Sequence, residues 1–244
     1  MKNSIEDIKN YYNLADCVKR YGEDIDKSGL WKSEEFIFQK YLKHSDNILD
    51  LGCGAGRTTI NLYKIGYKNI IGLDLAPNLI HYAKSYCDKN KLNIPFVVGS
   101  ATDLPYKQDK FDAVIFSYNG LMCIPRQRNR ERTLQEIYRV LKPNGVFIFT
   151  AQDRDNKRFK KSWIDEKQKW DNGEQDKNLE IFGDKFLPDE NGHFSFLHFS
   201  SIDEIISFCE KYNFEIVEYV NNLKIGSIDE KNHETIFYVV KKQS

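Results

Sequence analysis

Three glycines at alternate positions follow a short apolar run near residue 50. The run 47–51 leads into Gly52-Cys53-Gly54-Ala55-Gly56, and the segment 57–62 after it is predicted to begin a helix. Where a strand, a glycine loop and a helix N-terminus meet, backbone N–H groups and the positive helix end face a ligand. Glycine is favoured because a Cβ would clash with a ligand lying on the backbone or prevent the φ values of the turn. The stretch therefore predicts a ligand-binding loop.

The details of this loop argue against a phosphate ligand. The dinucleotide fingerprint G-x-G-x-x-G needs a glycine where this sequence has Arg57, and no Gly-Lys-Ser/Thr follows as in a P-loop. Asp50 also stands two residues before the first glycine, at the predicted end of the strand. A carboxylate there can receive an ammonium group directly or through water, whereas it would repel a pyrophosphate. The loop is predicted to bind a cationic ligand that carries an amino acid.

The segment 50–56 resembles the signature loop of the class I S-adenosylmethionine-dependent methyltransferases. Further segments resemble that family in the right order, over roughly residues 45–151. They are Gly72–Leu75 at the end of the second strand, Gly99–Tyr106 as the adenine-binding loop, Phe111–Ser117 as strand four and Leu141–Phe147 at the entry to strand five. The resemblance implies S-adenosylmethionine as the cofactor, and it says much less about the methyl acceptor.

The resemblance also assigns cofactor contacts to individual residues. Asp74 stands where the family places an acidic side chain on the ribose hydroxyls, and it follows Gly56 at a suitable distance. Asp103 can instead be a turn former, with backbone groups of Ala101 and Thr102 carrying adenine recognition. Tyr12 can either pack against the sheet edge or cover the cofactor mouth. The predicted cofactor-binding residues are Asp50, Gly52, Cys53, Gly54, Gly56, Asp74, Leu75, Ser100, Ala101, Thr102, Asp103, Ser117 and Tyr12.

From residue 47 onwards, apolar runs alternate with helical patterns. The predicted strands are 47–51, 69–74, 94–98, 111–117 and 144–151, and the clearest helices are 77–90 and about 127–141, the latter ending at a Lys142–Gly145 turn. Mostly continuous apolar strands are typical of a sheet buried on both faces, and repeated βαβ units make that sheet parallel. Ligands of such a sheet bind at the carboxyl ends of the strands.

Outside this core, helical spacing from Ser4 and again from Ser33, with a polar break at 22–29, predicts a helical cap. Residues 152–199 are polar but rich in aromatics, which predicts a helix at 157–170 and a hairpin at 186–199 turning at 189–192. A helix capped by Ser201 and strands at 214–220 and 235–241 close the chain.

The fold class predicted is α/β, a three-layer, doubly wound sheet of seven strands. The resemblance implies the order 3-2-1-4-5-7-6 with strand 7 antiparallel. One domain is expected, divided into a cap (1–44), a cofactor-binding core (45–151), an insertion that forms the acceptor pocket (152–199) and a closing helix with two strands (200–244).

Methyl transfer from a sulfonium needs alignment in a dry site more than it needs catalytic groups. A general base helps when the acceptor is a phenol, an alcohol or a protonated amine. The candidates are His193 and His198, in the insertion. Tyr118, Asn119 and Met122 are expected to border the acceptor, because they follow the carboxyl end of strand four. No spacing of histidines or cysteines indicates a metal site.

The overall composition indicates which kinds of partner the protein is expected to have. Lys+Arg and Asp+Glu both total 36, and five scattered cysteines indicate reduced thiols, so a cytoplasmic enzyme with no membrane partner is expected. The acceptor is predicted to be a small molecule. The basic runs 126–132 and 157–161 leave open a tRNA-modifying methyltransferase, although nucleic acid is an unlikely partner for a chain without net charge. A cofactor-binding sensor without transfer activity is the other alternative, and the oligomeric state is left open.

Overall fold

The computed structural model describes residues 4–243, apart from the side chains of residues 231 and 232. The helices are α1 Ile5–Tyr12, α2 Ala15–Lys27, α3 Lys32–Tyr41, α4 Arg57–Lys64, α5 Pro77–Asn90, α6 Gln127–Val140, α7 Lys160–Asp171 and α8 Ile202–Lys211. The strands are β1 Ile48–Leu51, β2 Ile70–Asp74, β3 Phe96–Val98, β4 Phe111–Phe116, β5 Leu141–Ala151, β6 Asp184–Pro188, β7 Phe194–His198, β8 Phe214–Asn221 and β9 Ile236–Lys242. Short 3-10 helices cover Gly120–Cys123, Asn222–Lys224 and Ile228–His233.

Seven strands form one sheet in the order β3-β2-β1-β4-β5-β9-β8. The first five run parallel, whereas β9 is antiparallel to both β5 and β8. The predicted order 3-2-1-4-5-7-6 is confirmed. The prediction numbered only the strands of the main sheet, so its strands 6 and 7 are β8 and β9, which follow the separate β6–β7 hairpin in the chain. The carboxyl ends of the parallel strands meet at one edge, where the glycine loop begins.

Both faces of the sheet are covered, which confirms the three-layer arrangement. Neighbouring residues of β1 belong to different cores: Ile48 packs into the cluster that holds α3, α4 and α5, whereas Leu49 packs into the cluster that holds α6 and α8. Strands buried on both faces have no polar face, which explains their unbroken apolar runs.

The predicted polar break at 22–29 is wrong. Residues 15–27 form the continuous helix α2, in which Gly22 and Ile25 are buried. A Cβ on Gly22 would lie only 2.3 Å from Cζ of Tyr82 on α5. Glycine stands there because the two helices approach closely, and a sequence pattern does not distinguish that use of glycine from a helix break.

The predicted cap at Ser33 is also wrong. α3 begins at Lys32, and Glu34 receives a hydrogen bond of 3.0 Å from the backbone N of Trp31. Ser33 lies inside the helix and is buried, with its hydroxyl bonded to the Glu230 carboxylate instead. A tertiary partner 197 positions away therefore decides the role of this serine.

The predicted Lys142–Gly145 turn proves to be an irregularity within β5. The strand starts at Leu141, paired with Phe111, and resumes regular pairing at Val146, opposite Ala113. Asn144 takes a left-handed conformation with φ 61° inside this bulge. The helix α6 therefore leads directly into a strand without an intervening loop.

The insertion forms elements of its own, as expected from its aromatic content. The helix is α7, and the predicted hairpin is present as the antiparallel pair β6–β7. β7 contacts α1 and the 3-10 helix Gly120–Cys123, so the hairpin lies beside the loop that follows β4. Among the described residues, no helix combines the length and the apolarity that a membrane span requires.

Candidate functional site

The glycine loop adopts a backbone that other residues would strain. Gly52, Gly54 and Gly56 have φ values of +64°, +57° and +91°. A Cβ would lie 2.4 Å from Phe116 at Gly52 and 2.8 Å from Phe96 at Gly56, so these two glycines also permit close packing. At Gly54 the nearest atom is Cδ1 of Tyr21, at an ordinary 3.6 Å. Glycine is therefore needed at position 54 because of the positive φ angle, and the space beside its Cα faces the ring of Tyr21.

Asp74 connects the end of β2 to the glycine loop. Its carboxylate accepts hydrogen bonds of 2.8 Å from the backbone N of Gly54 and of 2.8 Å from the backbone N of Ala76. Burial raises the pKa of this carboxyl group, and the amide hydrogen bonds oppose that shift. A carboxylate oxygen has two lone pairs, so each oxygen keeps acceptor capacity for a ligand hydroxyl.

A cavity at the carboxyl edge of the sheet brings most of the predicted cofactor residues together. Those that line it are Gly52, Gly54, Asp74, Leu75, Ser100, Ala101, Thr102, Ser117 and Tyr12. Tyr12 comes from α1, and its hydroxyl donates to Sγ of Cys123 over 3.7 Å. Of the two placements open for Tyr12, the structure has the one over the cavity.

Asp50 and Cys53 lie instead in an adjoining cleft that shares Gly52 and Gly54 with the cavity. Asp50 is buried and receives a hydrogen bond of 2.5 Å from the Thr59 hydroxyl. Burial raises the pKa of Asp50 to about 7, against the opposing effects of Thr59 and Arg57. A ligand ammonium in this cleft would favour the ionised form and lower that pKa again.

Gly56 and Asp103 do not line these two spaces. Gly56 is the N-cap of α4 and packs against Phe96. Asp103 is exposed, and its backbone N donates to the carbonyl of Ser100 over 3.2 Å. This is the turn-forming alternative, which leaves Ser100, Ala101 and Thr102 to face the cavity.

Sequence analysis missed two residues that connect the N-terminal helices to the site. Arg57 makes a bidentate pair with Glu34, with both nitrogen–oxygen distances 2.6 Å, and also donates to the carbonyl of Gly29 over 2.7 Å. Tyr21 lines both the cavity and the adjoining cleft. Arg57 stands where the dinucleotide fingerprint has a glycine, and that difference was a sequence signal for its role. Tyr21 carried no such signal, because the helix that holds it was predicted to break at residue 22.

The two candidate bases in the insertion are not brought to the cavity. His198 is buried, with Nδ1 2.8 Å from Asp184 and Nε2 2.7 Å from Glu204. His193 lies at the hairpin turn, 3.5 Å from Asp189. The role of each as a base stays a prediction that this placement does not favour.

The residues expected to border the acceptor are divided between different spaces. Tyr118 lines the cofactor cavity, the adjoining cleft and a third cleft, which Asn119 also lines. Both residues have left-handed backbone conformations, with φ 55° and 62°; such strain in a non-glycine residue is typical of functional sites. Met122 is buried and lines a separate cleft with His198.

Some arginines of the basic run 126–132 make contacts within the protein. Arg130 is buried and donates to the carbonyl of Ile124 over 3.0 Å, and Arg132 donates to the carbonyl of Thr102 over 3.2 Å. Two of its four arginines therefore support the walls of the cavity. Within residues 4–243, no group of three or more His, Cys, Asp or Glu side chains could hold a metal ion.

Comparison with known proteins relates part of the chain to a known domain. Residues 48–145 match a family model described as a methyltransferase domain. An uncharacterized protein of Methanocaldococcus jannaschii is 36% identical over 144 residues, which are 59% of this chain and 51% of that protein. Demethylmenaquinone methyltransferase of Symbiobacterium thermophilum is 31% identical over 140 residues, 54% of this chain and 53% of that protein. The chain thus spans about half the length of these curated relatives.

The likeness to solved structures extends over more of the chain. The crystal structure of S-adenosylmethionine-dependent methyltransferases from Methanosarcina mazei superimposes with a TM-score of 0.69 at 21% identity, covering 85% of this chain and 97% of that one. At this identity the comparison shows a shared fold. The match to the methyltransferase domain covers the glycine loop and the strands β1 to β4.

Proposed function

We propose that this protein, which belongs through residues 48–145 to the class I S-adenosylmethionine-dependent methyltransferases, methylates an oxygen or nitrogen atom of a small molecule. S-adenosylmethionine is the cofactor of this family. When bound, it supplies a methyl group on a sulfonium, which already has a good leaving group. The protein's task is then to bind, align and exclude water.

The residues present fit the cofactor. Asp74 offers acceptor capacity to the ribose hydroxyls, and the glycines leave room where a Cβ would intrude. Asp50 is placed for the ammonium of the amino-acid end, in the cleft that adjoins the main cavity. The loop Ser100–Thr102 is held by a 2.8 Å contact between the two hydroxyl groups, which orients the wall assigned to adenine.

One observation supports the proposal above the others. The backbone N of Gly54 donates to Asp74, so the loop and the carboxylate form one unit beneath the rings of Tyr12 and Tyr21. A fixed carboxylate, an open backbone and an aromatic cover suit a hydroxylated, cationic ligand better than a pyrophosphate.

An in-line transfer to a small acceptor is favoured by how the site is enclosed. Tyr12, Tyr21 and Tyr118 come from three separate segments and give the cavity aromatic walls, which would limit the water around a bound cofactor in a reaction that depends on close approach. No single group at the cavity is required to donate or remove a proton unless the acceptor carries one.

The test is isothermal titration with S-adenosylmethionine, S-adenosylhomocysteine and NAD, followed by transfer of labelled methyl to pools of small hydroxy and amino compounds. Binding of the first two ligands but not of NAD, followed by label in a small-molecule pool, is the expected result. Binding of NAD alone would contradict the family cofactor.

The two alternatives predict different outcomes of the same experiment. A sensor would bind both adenosyl ligands tightly but transfer no label to any acceptor pool. A tRNA-modifying enzyme would label a tRNA pool instead, although the burial of Arg130 and the backbone contact of Arg132 leave that basic run less free to bind phosphates.

A further inference from the structure

Tyr118 is shared by the cofactor cavity and a third cleft, whose walls come from distant parts of the chain. It lines both spaces, and its ring is 6.1 Å from Trp31 at an interplanar angle of 88°. Trp31, at the start of α3, in turn meets the ring of His233 at 4.7 Å, edge to face. A ligand in this cleft would therefore lie next to the cofactor, on the side where the two spaces meet.

The floor of this cleft is rigid and polar. The backbone N of Asn119 donates to the Thr150 hydroxyl over 2.8 Å, and the Thr235 hydroxyl donates to the Asn119 side-chain oxygen over 3.2 Å. These contacts bind the loop after β4 to the end of β5 and the start of β9. The remaining polar side chains of the lining are Ser33, Glu34, Gln152 and His233.

The position of His233 is fixed by a buried contact across the cleft. The 3-10 helix Ile228–His233 carries Glu230, which is buried and accepts a hydrogen bond of 3.2 Å from the backbone N of Ser33 as well as one from its hydroxyl. This contact holds the histidine segment against the start of α3. The imidazole is nevertheless exposed, so it is available to a ligand.

The size of the cleft limits what it can hold. Its volume is about 120 Å³, slightly less than the cavity of about 150 Å³ that holds a benzene molecule in another protein. The aromatic walls Trp31, Tyr118 and Phe237 suit a flat apolar group. A single substituted ring fits these limits, and a larger ligand would have to extend outside.

Charge decides between a phenol and an ammonium group on that ring. Glu34 is the carboxylate in the lining, and both of its oxygens are bonded by Arg57. The Arg57 guanidinium also lies 6.0 Å from the centre of the Tyr118 ring. Because the negative charge is neutralised and a cation is already near the ring, a neutral hydroxyl is favoured over an ammonium group.

We propose that this cleft is the acceptor site, that the acceptor is a ring-sized aromatic hydroxyl compound, and that His233 is its general base. The inference rests on the proposed methyltransferase function and names its substrate class. In the transfer, the hydroxyl proton passes to the imidazole of His233, one oxygen–carbon bond forms, and one carbon–sulfur bond breaks. The electron pair of the broken bond stays on sulfur, so charge and atoms balance.

The groups that face His233 leave it able to take that proton. Glu34 is paired with Arg57, and Glu230 is bonded to Ser33. Burial raises the pKa of Tyr118, so that phenol stays neutral. A neutral imidazole carries a nitrogen lone pair that can accept the hydroxyl proton.

The experiment uses 4-nitrophenol as the probe, because its phenolate absorbs visible light and its phenol does not. The full chain is saturated with S-adenosylhomocysteine, and probe binding is followed by calorimetry and by absorbance at a pH low enough that the unbound probe is mostly the colourless phenol. Wild-type protein is compared with His233→Asn, and His81→Asn is the matched control, since that histidine is exposed on α5. Benzylamine is titrated as the cationic alternative.

We expect the wild type and His81→Asn to bind 4-nitrophenol as the phenolate. The His233→Asn variant should bind it at least tenfold more weakly, without the visible band, and with unchanged affinity for S-adenosylhomocysteine. Equal binding and equal absorbance in His233→Asn, no binding by the wild type, or tighter binding of benzylamine would each overturn the proposal. A wild type that fails to bind S-adenosylhomocysteine would instead contradict the proposed function itself.

Discussion

The carboxylate of Asp74 is hydrogen-bonded to the protein backbone and is also predicted to bind the ribose of the cofactor. It accepts hydrogen bonds from two backbone amides, of which one belongs to the glycine loop. Its assignment to the ribose came from the resemblance of the segment Gly72–Leu75 to the end of the family's second strand, together with its distance from Gly56. Sequence could therefore locate this group, but the bond to Gly54, which couples the carboxylate to the loop, depends on the β1–β2 pairing.

Replacing Asp74 by alanine should weaken binding of S-adenosylmethionine by at least tenfold. A charged acceptor of hydrogen bonds contributes about 1.5–3 kcal/mol, and tenfold corresponds to about 1.4 kcal/mol. The measurement is calorimetric titration, with circular dichroism to show that the fold persists. The control is Asp88→Ala on the exposed side of α5. Unchanged affinity would remove Asp74 from the ribose site.

Asp50 provides a prediction on proton release. Its pKa is about 7 in the free protein because the group is buried. A cofactor ammonium beside it would favour the carboxylate, so binding near pH 7 should release a proton. Titrations in buffers of different ionisation enthalpy measure that release. Asp50→Asn, whose amide oxygen can still accept from Thr59, should release none; an equal release in both proteins would assign it to another group.

The same group predicts how stability depends on pH. The pKa of Asp50 rises from 3.8 to about 7 on folding. Its contribution to stability is therefore fully present below about pH 4 and is lost as the pH rises through 7. Each pKa unit corresponds to about 1.36 kcal/mol, so roughly 4 kcal/mol is involved at most. Urea unfolding at pH 4 and pH 8 should show a smaller difference in Asp50→Asn than in wild type.

At the scale of elements, the N-terminal helices are more than a cover. α2 supplies Tyr21 to the site, and α3 supplies Glu34, which holds Arg57 at the start of α4. Both links were invisible in the sequence, because they join segments that no local pattern relates. The same is true of His233, whose ring lies against that of Trp31.

The packing of α2 on α5 can be tested at Gly22. Gly22→Ala should destabilise the wild type by about 1–2 kcal/mol, because the new Cβ would overlap the Tyr82 ring. In a Tyr82→Ala background the same change should instead stabilise by up to about 1 kcal/mol, since alanine is the better helix former. Thermal unfolding of the four proteins measures this cycle, with Lys19→Ala on exposed α2 surface as a control. Equal effects in both backgrounds would contradict the contact.

At the scale of the whole molecule, the site is assembled from segments that lie far apart in the chain. Its walls come from the N-terminal helices, the parallel core and, for the acceptor cleft, the segment before β9. Ligand binding should therefore stabilise the entire domain. At a ligand concentration one hundred times the dissociation constant, the gain is about 2.7 kcal/mol.

S-adenosylhomocysteine at that excess should raise the melting temperature by roughly 5–10 °C, since about 2–4 °C per kcal/mol is usual for a chain of this size. NAD at the same concentration should leave it unchanged. Differential scanning calorimetry of wild type and Asp74→Ala is the measurement. A shift with NAD, or an equal shift in the variant, would show that the gain does not arise at this site.

Sequence alone determined what depends on local order. The glycine loop, the position of Asp74, the alternation of strands and helices, and the hairpin in the insertion all follow from residues close together in the chain. Their signals are periodicity, backbone permissiveness and the ends of predicted strands. These are properties that the chain has before it folds.

Tertiary structure decided what depends on contact between distant segments. Gly22 looked like a break until Tyr82 was seen against it, and Ser33 looked like a cap until Glu230 was seen to bind it. His198 looked available until Asp184 and Glu204 were found on its two nitrogens, and only the structure brings His233 against Trp31. A side chain's function depends on its neighbours, and contacts between different elements of the fold leave no local pattern in the sequence.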